Sequence, residues 1–86
     1  MTKYFLRGRS SPGMFPNERI VEVTDHEGKE VSLVVEESAV VQKDLEDLVR
    51  VTLVERENGK SLVLLPGEVF GSGPYISVDS EQLILV

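Results

Sequence analysis

Apolar positions along this chain fall in short alternating runs separated by turn residues, the pattern of β-strands rather than of helices. Between Arg50 and Leu65 the sequence reads Arg-Val-Thr-Leu-Val-Glu-Arg-Glu-Asn-Gly-Lys-Ser-Leu-Val-Leu-Leu, two aliphatic runs around Asn58-Gly59. Asn-Gly tolerates positive φ at both central residues, as a type I′ turn demands, so the pair predicts a two-residue hairpin. That turn sets Glu57 opposite Lys60, Glu55 opposite Leu62, Leu53 opposite Leu64 and Thr52 opposite Leu65. Val49, Val51, Leu53, Leu62 and Leu64 then share one apolar face, with Val54 and Val63 on the other.

Residues 2–9 also alternate. Tyr4 and Leu6 project to one side, while Lys3, Phe5, Arg7 and Arg9 project to the other. A loop follows at Ser10–Asn17, where Pro12 and Pro16 cannot donate to a ladder. A second hairpin joins Arg19–Thr24 to Glu30–Glu36 through Asp25-His26-Glu27-Gly28-Lys29, an Asp-headed loop with glycine near its end. Residues 38–48 hold the only candidate helix, with Ser38 as N-cap and Val41, Leu45 and Leu48 in helical spacing. A strand through Val41 fits nearly as well, and a helical turn at Asp44–Leu48 is the preferred reading. Pro66-Gly67 and Gly71-Ser72-Gly73-Pro74 break the chain again before final strands at Tyr75–Val78 and Gln82–Val86. Turn signals recur about every 8–12 residues, the spacing of a small all-β barrel or roll of roughly five to six strands, SH3-like or OB-like by analogy only. The two hairpins share a Gly-Lys step, Gly28-Lys29 and Gly59-Lys60, which is general hairpin chemistry, and no internal repeat is read.

Composition agrees with strands. Valine, isoleucine and leucine supply 27 of the 86 residues, and 14 of them are valine, whose branched Cβ suits a pleated surface better than a helix. At this length one domain, 1–86, is expected, with one core and no deep cavity beside it. The chain has no cysteine and one histidine, which removes disulfides, thiolate chemistry and zinc–thiolate sites. Neither a metal nor a cofactor is expected. Apolar runs are too short for a membrane span or a leader, so a cytoplasmic protein without membrane partners is expected.

Net charge is −6, unevenly spread: residues 1–19 carry four bases against one acid, and residues 20–86 carry five against fourteen. An acidic body disfavours non-specific contact with phosphate. The first strand is the exception. There Phe5 lies between Lys3 and Arg7 with Arg9 next in line, as in sheets that stack a base while holding its phosphates. Met14 and Phe15, in the proline-bounded loop, offer a different chemistry: two large apolar side chains suited either to a protein contact or to plugging one end of a barrel.

Other features carry less. The glycine-rich stretch Pro66–Pro74 lacks the lysine and following helix of a phosphate loop. His26 has only turn neighbours, which cannot converge as base, orienter and nucleophile. The acids Glu36, Glu37, Asp44, Glu46 and Asp47 have no glycine among them for a Ca²⁺ loop and read as a solvated face. The expected function is therefore non-enzymatic: a protein-interaction or accessory module whose partner is another protein or a second copy, through Met14 and Phe15. The alternative is single-stranded nucleic-acid binding through Lys3, Phe5, Arg7 and Arg9.

Overall fold

A computed structural model describes residues 3–85 and is all-β: among them there is no α-helix, only two single 3₁₀ turns. The strands are β1 (Tyr4–Pro12), β2 (Glu18–Thr24), β3 (Glu30–Glu36), β4 (Val40–Lys43), β5 (Glu46–Glu57), β6 (Lys60–Leu64), β7 (Glu68–Phe70), β8 (Tyr75–Asp79) and β9 (Leu83–Leu85). All nine belong to one antiparallel sheet in the order β7-β3-β2-β1-β5-β6-β8, with β4 added to β5 and β9 to β1. The sheet curls into a small half-barrel roll whose concave side holds an aliphatic core centred on Leu6, Val21, Leu33, Val49, Val63 and Val78. No helix here is long and apolar enough to cross a membrane.

The Asn-Gly hairpin forms with both turn residues at positive φ, Asn58 at 51° and Gly59 at 77°. Glu57 faces Lys60 and Glu55 faces Leu62 as the turn dictates, but Leu53 then faces Val63 and Thr52 faces Leu64. A bulge at Val54 accounts for the slip, because one extra residue on β5 reverses which way the following side chains point. The predicted face is therefore corrected. Val49, Val51, Val63 and Leu65 are buried and partly buried Leu53 packs against them, whereas Leu62 and Leu64 lie on the outer side. Leu62-Val63-Leu64-Leu65 is unbroken aliphatic and carries no phase of its own, so the turn alone could not reveal the slip.

Residues 37–48 also depart from the helical-turn reading. Glu37–Ala39 is a 3₁₀ turn, β4 follows directly, and Lys43 pairs with Glu46 across a two-residue turn. Asp44 (φ 51°) and Leu45 (φ 67°) both occupy the left-handed region, the backbone of a type I′ hairpin built from residues that rarely adopt it. Consecutive Val40-Val41 suit the strand, and pairing with β5 outweighs the weak helical spacing.

The fold is an internal duplication that the sequence conceals. A shift of 43 residues, Glu37 to Ser80, carries the 3₁₀ turn Glu37–Ala39 onto Ser80–Gln82 and its flanking Glu36 and Val40 onto Asp79 and Leu83. It carries Phe5-Leu6-Arg7 onto Leu48-Val49-Arg50 and buried Leu33 and Val35 onto buried Ile76 and Val78. The pairings obey the same relation: β1 and β5 face each other with Leu6 opposite Val49, β4 adds to β5, and β9 adds to β1. Even single bonds recur, since Glu37 N donates to Asn17 O at 2.8 Å and Ser80 N donates to Gly59 O at 2.8 Å. Each half contains a three-stranded meander, a 3₁₀ turn and a short strand delivered to the other half, related by a pseudo-two-fold through the β1–β5 pair; β7, which pairs with β3, has no strand counterpart in the first half. The β2–β6 correspondence is one residue shorter, Val21 to Val63 and Val23 to Leu65, because the connecting turn and the bulge differ between halves. The shared Gly-Lys steps are 31 residues apart, Gly28 to Gly59, and point to a different and false period.

Candidate functional site

The residues singled out from the sequence are not brought together. Lys3, Arg7 and Arg9 are exposed, but Phe5 retains 7 % of its surface, facing Ile84 on one side and Arg50 on the other. A ring so covered has no free face on which to stack a base. Arg7 Nε donates to Glu46 Oε2 at 3.2 Å, and Arg9 Nη2 donates to Glu30 Oε1 at 2.6 Å with Glu22 at 3.6 Å. Two of the three cations of the first strand are thus already opposed by acids.

Met14 and Phe15 do not plug the roll. Gly13 N donates to Glu18 O at 2.9 Å and Glu18 N to Phe15 O at 3.0 Å, closing a tight loop at the end of the β1–β2 hairpin. Met14 is 93 % and Phe15 61 % exposed. The neighbouring β4–β5 tip adds Leu45, fully exposed and held at positive φ, a large apolar residue that sequence reading placed in a helical turn. Both tips lie toward the same end of the β1–β5 pair, because antiparallel β1 and β5 place Gly8 opposite Asp47: the Asp44-Leu45 turn lies just beyond Asp47, and the Gly13 turn lies farther along β1 in the same direction. Ser10 Oγ donates to Asp47 Oδ2 at 2.9 Å and Arg19 Nη2 to Ser10 Oγ at 2.8 Å, tying the two hairpins together at their bases.

A second pair of features follows from the duplication. β1 pairs with β9 through Leu6 and with β2 from Arg9, leaving Arg7-Gly8 at the changeover. β5 pairs with β4 through Val49 and with β6 from Thr52, leaving Arg50-Val51 at the equivalent place. A cleft opens at each changeover, where a bent strand exchanges one neighbour for another. The first, about 450 Å³, is lined by Arg7, Arg9, Glu22, Thr24, Glu30 and Gln82. The second, about 300 Å³, is lined by Ala39, Arg50, Thr52, Leu64, Leu65 and Pro66, with Val51 at its floor. Related positions have changed character: Arg9 corresponds to Thr52, Glu22 to Leu64, Thr24 to Pro66 and Gln82 to Ala39, while Arg7 and Arg50 alone match.

The polar cleft has its charged groups matched by its own bonds. Besides the Arg9 pairs, Gln82 Nε2 donates to Thr24 O at 3.2 Å, bridging the two halves across it. At its floor β1 approaches β2 so closely that a Cβ on Gly8 would lie 2.8 Å from Glu22 O, whereas the equivalent Val51 carries a side chain. His26 remains a turn residue; its backbone N donates to Ser77 O at 2.8 Å, which ties the β2–β3 turn to β8. No group of three His, Asp or Glu side chains gathers among the described residues. Comparison with protein families, with curated proteins and with solved structures finds no match for this chain.

Proposed function

We propose that this chain is a non-enzymatic protein-interaction module that meets its partner, another protein or a second copy, with the paired hairpin tips. The observation that carries this reading is the exposure of Met14, Phe15 and Leu45 at one end of the molecule. Large apolar side chains left in water cost free energy that burial in an interface recovers, at about 25 cal/mol per Å² covered. Adaptable Met beside a rigid ring is a composition suited to a protein surface. The double variant Met14→Ser, Phe15→Ser tests it, because neither side chain contributes to the core. Its melting temperature should match that of the parent, while proteins co-purifying with the parent should be lost, or a parent dimer seen by sedimentation should become monomer. An unchanged set of partners and an unchanged sedimentation coefficient would overturn the reading.

A further inference from the structure

We infer that the cleft at the β5 changeover is a binding site for an extended peptide that presents a carboxylate beside apolar side chains. The site is distinct from the hairpin tips and does not depend on them.

The internal duplication supplies a built-in control. The cleft at the β1 changeover shows the same backbone with its charges satisfied: Arg7 is opposed by Glu46, and Arg9 by Glu22 and Glu30. Carrying that arrangement through the pseudo-two-fold places Arg50 where Arg7 stands and Lys3 where Glu46 stands. An ion pair in one half is therefore two like charges in the other. Lys3 and Arg50 line one depression of about 290 Å³ with Tyr4, Thr52 and Leu53, and among the described residues neither has an acidic partner within 4.0 Å. Other bases also lack an acid within that distance, but Lys3 and Arg50 share a depression with no acid in its lining, whereas the depressions that hold Lys60 and Lys29 contain Glu55 and Glu57, and Asp25 and Glu27.

The apolar lining belongs to the same place. Arg50, Val51 and Thr52 border both this depression and the second cleft, so Arg50 stands between the cationic depression and apolar walls formed by Ala39, Leu64 and Pro66. The changes from Arg9 to Thr52, Glu22 to Leu64, Thr24 to Pro66 and Gln82 to Ala39 each remove a charge or a hydrogen-bonding group and leave the arginine. A groove with two cations at one end and apolar walls beyond them complements a chain segment with an acid followed by aliphatic residues. Nucleic acid fits less well. It carries a phosphate at every nucleotide and is held by tracks of cations with several stacking rings, and here Phe5, opposite Arg50 in the ladder, is buried, which leaves Tyr4 as the one ring lining the depression.

The experiment uses the full chain. A phage-displayed library of random seven-residue peptides is panned against the parent and against Arg50→Glu, whose side chain is exposed, so folding is preserved. Sequences pairing aspartate or glutamate with aliphatic residues should be enriched on the parent. Synthetic copies should bind Arg50→Glu at least roughly tenfold more weakly, and panning on that variant should enrich lysine or arginine instead. Lys3→Glu provides the same readout should Arg50→Glu lower the melting temperature. Met14→Ser, Phe15→Ser should leave this binding unchanged, which separates failure here from failure of the tip contact. The inference is overturned if enriched peptides lack acids, if none are enriched, or if both charge reversals leave affinity unchanged. A ten-nucleotide oligothymidine that outcompetes the peptides, and whose binding falls with the same substitutions, would overturn it in favour of nucleic acid.

Discussion

Gly67 sits between β6 and β7 at φ 70°, and a Cβ built on it would run into the Val34 carbonyl oxygen, far inside van der Waals contact. Gly59 has nearly the same backbone, φ 77°, with nothing within 4 Å of a Cβ. Comparing Gly67→Ala with Gly59→Ala therefore separates two costs that usually arrive together. Both variants incur the left-handed penalty of an L-residue, which less the equal gain from a stiffer unfolded chain leaves a net cost of about 1 kcal/mol. Only Gly67→Ala must also push backbone apart. Val34 lies opposite Glu68 in the β3–β7 ladder, so the obstructing atom cannot rotate aside as a side-chain end would. Overpacking of that kind costs about 1–3 kcal/mol more, against a total stability of about 4–13 kcal/mol for a chain of this length. Urea unfolding should show Gly59→Ala losing about 1 kcal/mol and Gly67→Ala about 2–4 kcal/mol. Thermal midpoints should fall by about 4–8 °C for each kcal/mol. Amide exchange on Gly67→Ala should speed up selectively in β7 and the facing residues of β3. Equal losses in the two variants would refute the steric argument, and with it the close passage of the β6–β7 turn over Val34.

Leu45 is fully exposed at positive φ, so Leu45→Gly should raise stability by about 0.5–1 kcal/mol in urea unfolding; a lower midpoint would mean that the tip packs against something. Phe5→Ala should cost about 3–5 kcal/mol in the same assay, as for a buried ring, and a loss below about 1 kcal/mol would show that the ring is free.

Local chemistry was legible wherever one residue pair dictates the backbone. Asn58-Gly59 fixed its turn and the first pairs beyond it, Glu57 with Lys60 and Glu55 with Leu62. The Asp-headed loop also forms as read: Asp25 Oδ1 accepts from Glu27 N at 2.9 Å and Lys29 N at 2.8 Å, with Gly28 at φ 83°. What escaped sequence reading was decided by partners distant in sequence. The bulge at Val54 exists because Leu53 must join Val63 and Leu65 in the core, and nothing local to Leu53-Val54 announces it. The Asp44-Leu45 turn has neither Asn nor Gly to mark it; β4 pairing along β5 forces it into the left-handed region. Of the predicted contact residues, Met14 and Phe15 are accessible because their loop closes on itself. Phe5 is covered because the first strand is not an edge: β5 and β9 flank it.

The duplication explains why the candidate groove was invisible in one dimension. Its members lie on four separate segments: Lys3-Tyr4, Ala39 in the 3₁₀ turn of the first half, Arg50 to Leu53 and Leu64 to Pro66. No window of sequence contains them, and only the pseudo-two-fold shows which position in one half answers to which in the other. Where the halves share a packing role they use interchangeable residues, as Leu33 with Ile76 or Val35 with Val78, all buried. At the two changeover clefts the residues differ in kind. A role in stability alone would favour similar solutions at both, since the strand pairing follows the same order. Instead one cleft has its charges matched by ion pairs and is spanned by a glutamine bridge, while its counterpart is apolar-walled and cationic at the rim. That divergence, set against a matched framework, is the physical reason to place binding at the β5 changeover.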